Sequence, residues 1–175
     1  MSQMPVTQNA AAQLAIFANP DALETVREIM SSEDFSASDL DRIKALGTDI
    51  IWLLPIHPTG EKNRKGSLGS PYAIRDYRAV NPEFGTLDDF RHLVDAIHAR
   101  GMKCIIDVVY NHTSPDSVLA AGHPEFFLRD EMGRPTRRVA EWSDIVDLDY
   151  RNLDLWKYQI ETLKIWAEIV DGFRC

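Results

Sequence analysis

Two short, mainly apolar runs limit what this chain can fold into. Ile50-Ile51-Trp52-Leu53-Leu54 lies between Gly47 and Pro55, and residues 102–109 follow Gly101 with Cys104-Ile105-Ile106 near their centre. A run of that length without polar alternation reads as a strand buried on both faces, as in a parallel sheet covered by helices. Between the two runs the period changes. Thr86 opens a helix with Asp88 and Asp89 in its first turn, where carboxylates meet the positive end of the helix dipole. Phe90, Leu93, Val94 and Ile97 form its apolar stripe, and Arg100-Gly101 close it. Strand, helix, strand in that order predicts a βαβ unit and an α/β architecture.

The flanks continue the pattern. Ser36 or Ser38 caps a helix with Leu40, Ile43 and Leu46 on one face, and Gly47 stands where a left-handed C-terminal residue is wanted. Farther upstream, residues 1–9 read as a loose terminus and residues 13–17 as a short strand. A helix then starts at Asn19-Pro20, with Leu23, Val26 and Met30 on one side. Downstream, Leu153 opens a long helix for which Trp156, Ile160, Leu163, Ala167 and Val170 predict the buried face, and residues 170–175 read as a last strand. The total is three or four parallel strands. Between Tyr110 and Tyr150 the periodicity lapses for about 40 residues, against roughly 2–6 for an ordinary βα loop. The aromatic pair Phe126-Phe127 and the turn-rich residues 130–135 predict a helical turn and a hairpin inside that excursion.

Composition narrows the function classes. The formal charge of -8 over 175 residues argues against a polyanionic partner such as nucleic acid. No apolar run approaches the roughly 20 residues that cross a bilayer, so neither a membrane span nor a secretory signal is expected. Two cysteines, Cys104 and Cys175, offer no zinc spacing, and a reduced cytoplasmic setting is the default.

In parallel α/β folds ligands meet the chain at the carboxyl ends of strands. Pro55, His57 and Pro58 follow the first run, Asn111 and His112 follow the second, and Arg174 ends the last. Strand alternation puts Asp107, Val109 and Asn111 on one face, so that Asp107 and Asn111 can point into the same cavity. A carboxylate, an amide and an imidazole suit sugar hydroxyls, and the Asn111 carbonyl also suits a hard cation such as calcium. The other reading of these groups is structural, with Asp107 paired to an arginine and His112 capping a turn.

These residues carry a resemblance. Residues 107–112, DVVYNH, and 171–175, DGFRC, resemble the first two motifs of the α-amylase family, glycoside hydrolase family 13. Leu54-Pro55-Ile56-His57-Pro58 is similar to the segment after that family's second barrel strand. Residues 70–77, SPYAIRDY, are similar to the aromatic segment that comes next, and residues 143–149 to the motif closing its inserted B domain. The likeness runs from about Asp39 to the last residue, whereas residues 1–38 match poorly.

The resemblance implies a (β/α)8 TIM barrel. Residues 39–175 would be its N-terminal half, with about the first four strands and a short B-domain insert, 113–146, after the third. It implies retaining cleavage or transfer at α-glucosidic bonds of gluco-oligosaccharides. Tyr72 would stack on the sugar at the cleavage subsite, His112 would hydrogen-bond a hydroxyl of that sugar, and Arg174 would orient the nucleophile with Asp107 supporting the cluster. The nucleophile would be the residue after Cys175, so no catalytic carboxylate is expected within these residues and the chain alone should not turn over. Asn111 and Asp147 match positions that bind calcium in many members, while other members lack the ion. A non-catalytic saccharide-binding or interaction module of the same fold is the alternative. An anion site at Lys62, Arg64 and Lys65 ranks behind both. An open half barrel would leave apolar faces uncovered, so self-association is expected.

Overall fold

The computed structural model describes residues 37–175, and the strand and helix expected within residues 13–30 lie outside the described residues. Helix α1, Ala37–Ala45, buries Leu40 and half-buries Ile43. Leu46, expected on the same face, is exposed, because the helix stops before it and Gly47 turns the chain at φ 84°.

Strand β1, Ile50–Leu53, helix α2, Leu87–Ala99, and strand β2, Lys103–Asp107, form the expected βαβ unit. Thr86 caps α2 by accepting the Asp89 N–H, while the Asp89 side chain accepts the Thr86 N–H in return. That reciprocal pair satisfies two backbone donors at the helix start. The chain continues through β3 (His112–Thr113), α3 (Val118–Gly122), β4 (Val146–Asp147), α4 (Leu153–Ala167) and β5 (Gly172–Arg174). One sheet has the parallel order β1-β2-β5, in which Leu53 pairs with Ile106 and Asp107 with Arg174. Burial follows position in that sheet. Cys104, Ile106 and Asp107 of the central strand are buried, but β1 is only half-buried and Ile50 is exposed. The apolar run of β1 therefore does not signify burial on both faces, since among the described residues β1 has a neighbour on one side alone.

The main core fills the space between sheet and helices, where Phe90, Val94 and Ile97 of α2 and Trp166 of α4 pack with Cys104 and Ile106. Each large side chain buried there contributes about 2 kcal/mol. A second cluster, including Ile74, Tyr77, Leu119, Phe126, Phe127 and Leu155, lies under the excursion. The excursion begins and ends on an antiparallel ladder that pairs His112 with Asp147 and Thr113 with Val146. Within it come α3, a 3-10 turn at Pro124–Phe126 and a hairpin turning at Gly133, so the helical turn and the hairpin are both present.

The face of α4 differs from the expected one. Leu155, Gln159, Thr162 and Trp166 are buried, whereas Trp156, Ile160 and Ala167 are exposed. Polar partners select that face: the Trp166 indole donates to the Tyr77 carbonyl at 2.7 Å, and Arg78 donates to the Thr162 hydroxyl at 3.0 Å. Arg78 also lies over the Tyr158 ring at 3.9 Å. Among the described residues no helix is long and apolar enough to cross a membrane.

Two ionisable groups lock the scaffold. The Asp171 carboxylate meets His98 Nε2 at 2.6 Å and accepts from Lys103 Nζ at 2.7 Å and from the Cys104 N–H at 2.9 Å. Burial opposes its ionised form, but these hydrogen bonds prevail and hold it well below the usual carboxylate range. The start of β2 is thereby tied to the turn before β5. His57 is buried against Trp166 and Tyr77, with Nδ1 3.1 Å from the Ala79 carbonyl. Burial pushes its pKa down to about 4, against the opposing hydrogen bond to Ala79 and the Asp76 charge.

Because the folded chain refuses a proton that the unfolded chain takes up near its ordinary value, stability is full at neutral pH. It falls as pH drops from about 6.5 towards 4, by up to roughly 3 kcal/mol. Urea midpoints at pH 7, 5.5 and 4 should show that slope, and His57→Gln should remove most of it. An unchanged slope in the variant would contradict this account.

Candidate active site

Three elements bring the site together at the carboxyl ends of β2 and β5. Asp107 is the last residue of β2 and Arg174 the last of β5, and their register places them side by side. Arg174 Nη1 donates to both Asp107 oxygens, at 3.2 and 3.1 Å. Asp107 is 0% exposed, while the Arg174 side chain is 49% exposed, so one partner closes the pair from the solvent side. The Arg174 guanidinium also faces the Trp52 ring of β1 at 5.2 Å.

Tyr72 reaches the same carboxylate from a loop. Ala73 N–H donates to the Ser70 carbonyl, Gly60 N–H to the Ala73 carbonyl and Arg75 N–H to the Pro58 carbonyl, which folds residues 70–75 back on the exit of β1. The Tyr72 hydroxyl then donates to Asp107 Oδ2 at 3.4 Å. Burial, and next the Asp107 charge, raise its pKa above the usual phenol value.

His112 follows the end of β2 by five residues and is held by a different tyrosine. The fully buried Tyr77 hydroxyl donates to the carbonyls of Val109 and His112, at 2.8 and 2.6 Å, and so fixes the backbone between strand and ladder. His112 is 8% exposed, and its Nδ1 takes no protein partner. Burial lowers its pKa, with Asp147 opposing. A neutral imidazole, with one donor and one acceptor, is the form that suits a sugar hydroxyl.

Tyr72 and His112 both line an open cavity of about 360 Å³. That volume lies in the roughly 300–1,000 Å³ range of small-molecule sites. Trp142, Asp144 and Ile145 form another part of its wall, with Ser70 and Lys65. Trp142 stands edge-on to His112 at 5.8 Å, and Asp144, nearly buried, pairs with Lys65 at 3.1 Å. Neither Trp142 nor Asp144 is singled out by the sequence reading. The only signal in the sequence is an exposed-type aromatic just before the 143–149 motif.

Asn111 lies outside the strand that carries Asp107. The strand ends at Asp107, the alternation ends with it, and Asn111 is exposed with its carbonyl accepting the Leu148 N–H. Asp147 faces His112 across the ladder, and its Oδ2 accepts the Arg138 N–H at 3.1 Å. Calcium takes 6–8 oxygen ligands. Among the described residues no three His, Cys, Asp or Glu side chains gather to hold a metal. The basic cluster is likewise committed elsewhere: Arg64 donates to the Leu68 carbonyl, and Lys65 to the Glu141 carbonyl as well as to Asp144.

The family model for the alpha amylase catalytic domain matches residues 36–123, half of the chain, including Tyr72, Asp107 and His112. The chain belongs to the α-amylase family. It is 62% identical to an α-amylase from Lactobacillus plantarum of known structure, covering 79% of this chain and 33% of that one with a TM-score of 0.78. A maltogenic α-amylase from Thermotoga neapolitana follows at 50% identity and a TM-score of 0.74, with the same coverage. Among curated relatives, an α-1,4-glucan:maltose-1-phosphate maltosyltransferase from Rhodospirillum rubrum is 37% identical over 75% of this chain and 22% of its own length. The family member described here therefore spans about a quarter of the length of such relatives and a third of the matching structures.

Removing Arg174 leaves a buried carboxylate facing only the Tyr72 hydroxyl. Breaking a buried pair costs about 3–5 kcal/mol, and the half-exposed arginine discounts that, so Arg174→Ala should cost about 2 kcal/mol. Asp107→Asn, which keeps shape and an acceptor, should cost less. Urea denaturation of the two variants checks the order, and an equal or reversed cost would show that the pair does not hold the strand ends together.

Proposed function

We propose that this site binds α-linked gluco-oligosaccharides. Tyr72 stacks on one sugar, His112 hydrogen-bonds a hydroxyl of that sugar, and Asp107 fixes Arg174 at the strand end. The observation that carries the reading is the convergence of Tyr72, His112 and the Asp107–Arg174 pair at the carboxyl edge of the sheet, next to an open cavity. A ring face and neutral polar groups suit a sugar, which presents an apolar C–H face and a rim of hydroxyls.

Retaining cleavage or transfer needs two carboxyl groups roughly 5–5.5 Å apart on either side of the bond. We assign that chemistry to the complete (β/α)8 enzyme, in which residues 113–146 form a short B domain. Within the described residues the candidate carboxylates are already committed. Asp107 is sealed under Arg174 and Tyr72, Asp147 accepts the Arg138 N–H, and Asp149 is held by Arg151 at 2.6 Å. The 175-residue chain by itself therefore reads as a saccharide binder without turnover. Two unpaired cysteines, one of them buried, support a reducing, cytoplasmic setting.

Titration calorimetry with maltotriose should show binding that Tyr72→Ala abolishes, with no glucose or maltose released over hours. Absence of binding would remove the proposal, and turnover by this chain would remove its second half. The exposed Leu153, Trp156 and Ile160 on α4 support self-association as well. Size-exclusion chromatography should give an apparent mass above the 19.9 kDa monomer, shifted towards monomer by Trp156→Glu with Ile160→Lys. A monomer at high micromolar concentration would refute it.

A further inference from the structure

We propose that Trp142 is a second aromatic wall of the saccharide site, set by Lys65, and that it selects for a second sugar unit beside the one on Tyr72. This rests on the saccharide reading above.

Trp142 belongs to the excursion, whereas Tyr72 belongs to the loop after β1, yet both line the same cavity. The indole is 46% exposed. It is not loosely placed. Its edge meets the His112 ring at 5.8 Å with the planes 61° apart, so its free surface belongs to the cavity side. Cross-links from the 59–71 loop hold the backbone on both sides of it. Lys65 Nζ donates to the Glu141 carbonyl at 3.0 Å and pairs with Asp144 at 3.1 Å, while Asn63 Nδ2 donates to the Ser143 carbonyl at 2.9 Å.

The Lys65–Asp144 pair deserves separate weight because Asp144 is 6% exposed. A nearly buried carboxylate needs its cation, so Lys65 cannot swing away without a cost of the kind that keeps such pairs closed. Lys65 thus acts as a positioning residue on both sides of the indole, through the carbonyl before Trp142 and the carboxylate two residues on. An exposed indole clamped in the wall of this cavity is a platform for the apolar face of a sugar ring. Tyr72 and Trp142 reach the cavity from separate segments, one through the loop after β1 and one through the excursion, so each presents its own ring to it.

Binding of glucose, maltose and maltotriose to the chain is measured by calorimetry and by indole fluorescence. Unaltered protein should bind maltotriose more tightly than glucose, with a change in emission. Trp142→Ala should weaken maltotriose roughly three- to tenfold and leave glucose nearly unchanged. Trp142→Phe should keep most of the affinity and lose the emission change that Trp142 carries. Lys65→Met should weaken maltotriose and shrink the emission change, and Lys65→Arg should restore both, which a role in stability alone would not do. If the unaltered chain binds none of the three sugars, the saccharide reading falls and this inference with it. If it binds them and the Trp142 variants bind maltotriose as tightly, with the emission change intact, the second wall is refuted while the saccharide reading stands.

Discussion

The carboxylate of Asp107 has no exposed surface, and burying such a group without partners costs several kcal/mol. The rest of the site is arranged around meeting that demand. Arg174 meets it across a parallel register, Tyr72 meets it from a loop, and the arginine is in turn seated over Trp52 of the outer strand. Three strands and one loop are thus fixed at one edge by a single charge. A pair of this kind adds little net stability compared with an apolar core, but each partner is strongly tied to the other. It therefore specifies position, which is what a binding edge requires.

Tyr77 performs the corresponding task for the backbone. Its ring fills the cluster under the excursion, its hydroxyl holds the Val109 and His112 carbonyls, and its own carbonyl takes the Trp166 indole N–H. One side chain thereby connects the main helix core, the exit of β2 and the ladder that closes the excursion. His112 arrives next to Tyr72 because of that connection, not because of its place in a strand. Asp171 does similar work at the opposite edge, where it ties β5 to the start of β2.

Much of this is legible in the sequence, and the parts that are not share a cause. The βαβ unit, the Thr86 cap, the Gly47 turn and the excursion are written in local periodicity and in residues with special backbone needs. Asp107, Tyr72 and Arg174 are found through motifs, and their contact agrees with the structural reading of Asp107 as an arginine's partner. Strand alternation does not reach Asn111, because the strand stops at Asp107 and the chain bends at Asn111. The α4 face is misread because that helix has apolar residues on more than one side. Its buried side includes Gln159 and Thr162, and Arg78 comes from 84 positions away to meet the threonine. Trp142 is overlooked for a related reason, since its value lies in neighbours on a distant loop.

Local pattern alone is enough to read the order of strands and helices, the capping of α2 and the family, and its motifs point to Tyr72, His112, Asp107 and Arg174. Those features rest on short-range spacing, which chain geometry converts directly into local structure. It takes the folded chain to show which side of α4 is buried, that the strand stops at Asp107 short of Asn111, and that Lys65, Trp142 and Asp144 join the cavity wall. Each of those outcomes depends on contacts between segments tens of residues apart. Burial of a polar or aromatic group at such a contact is set by the partner that arrives there, and the partner is not visible in the local pattern.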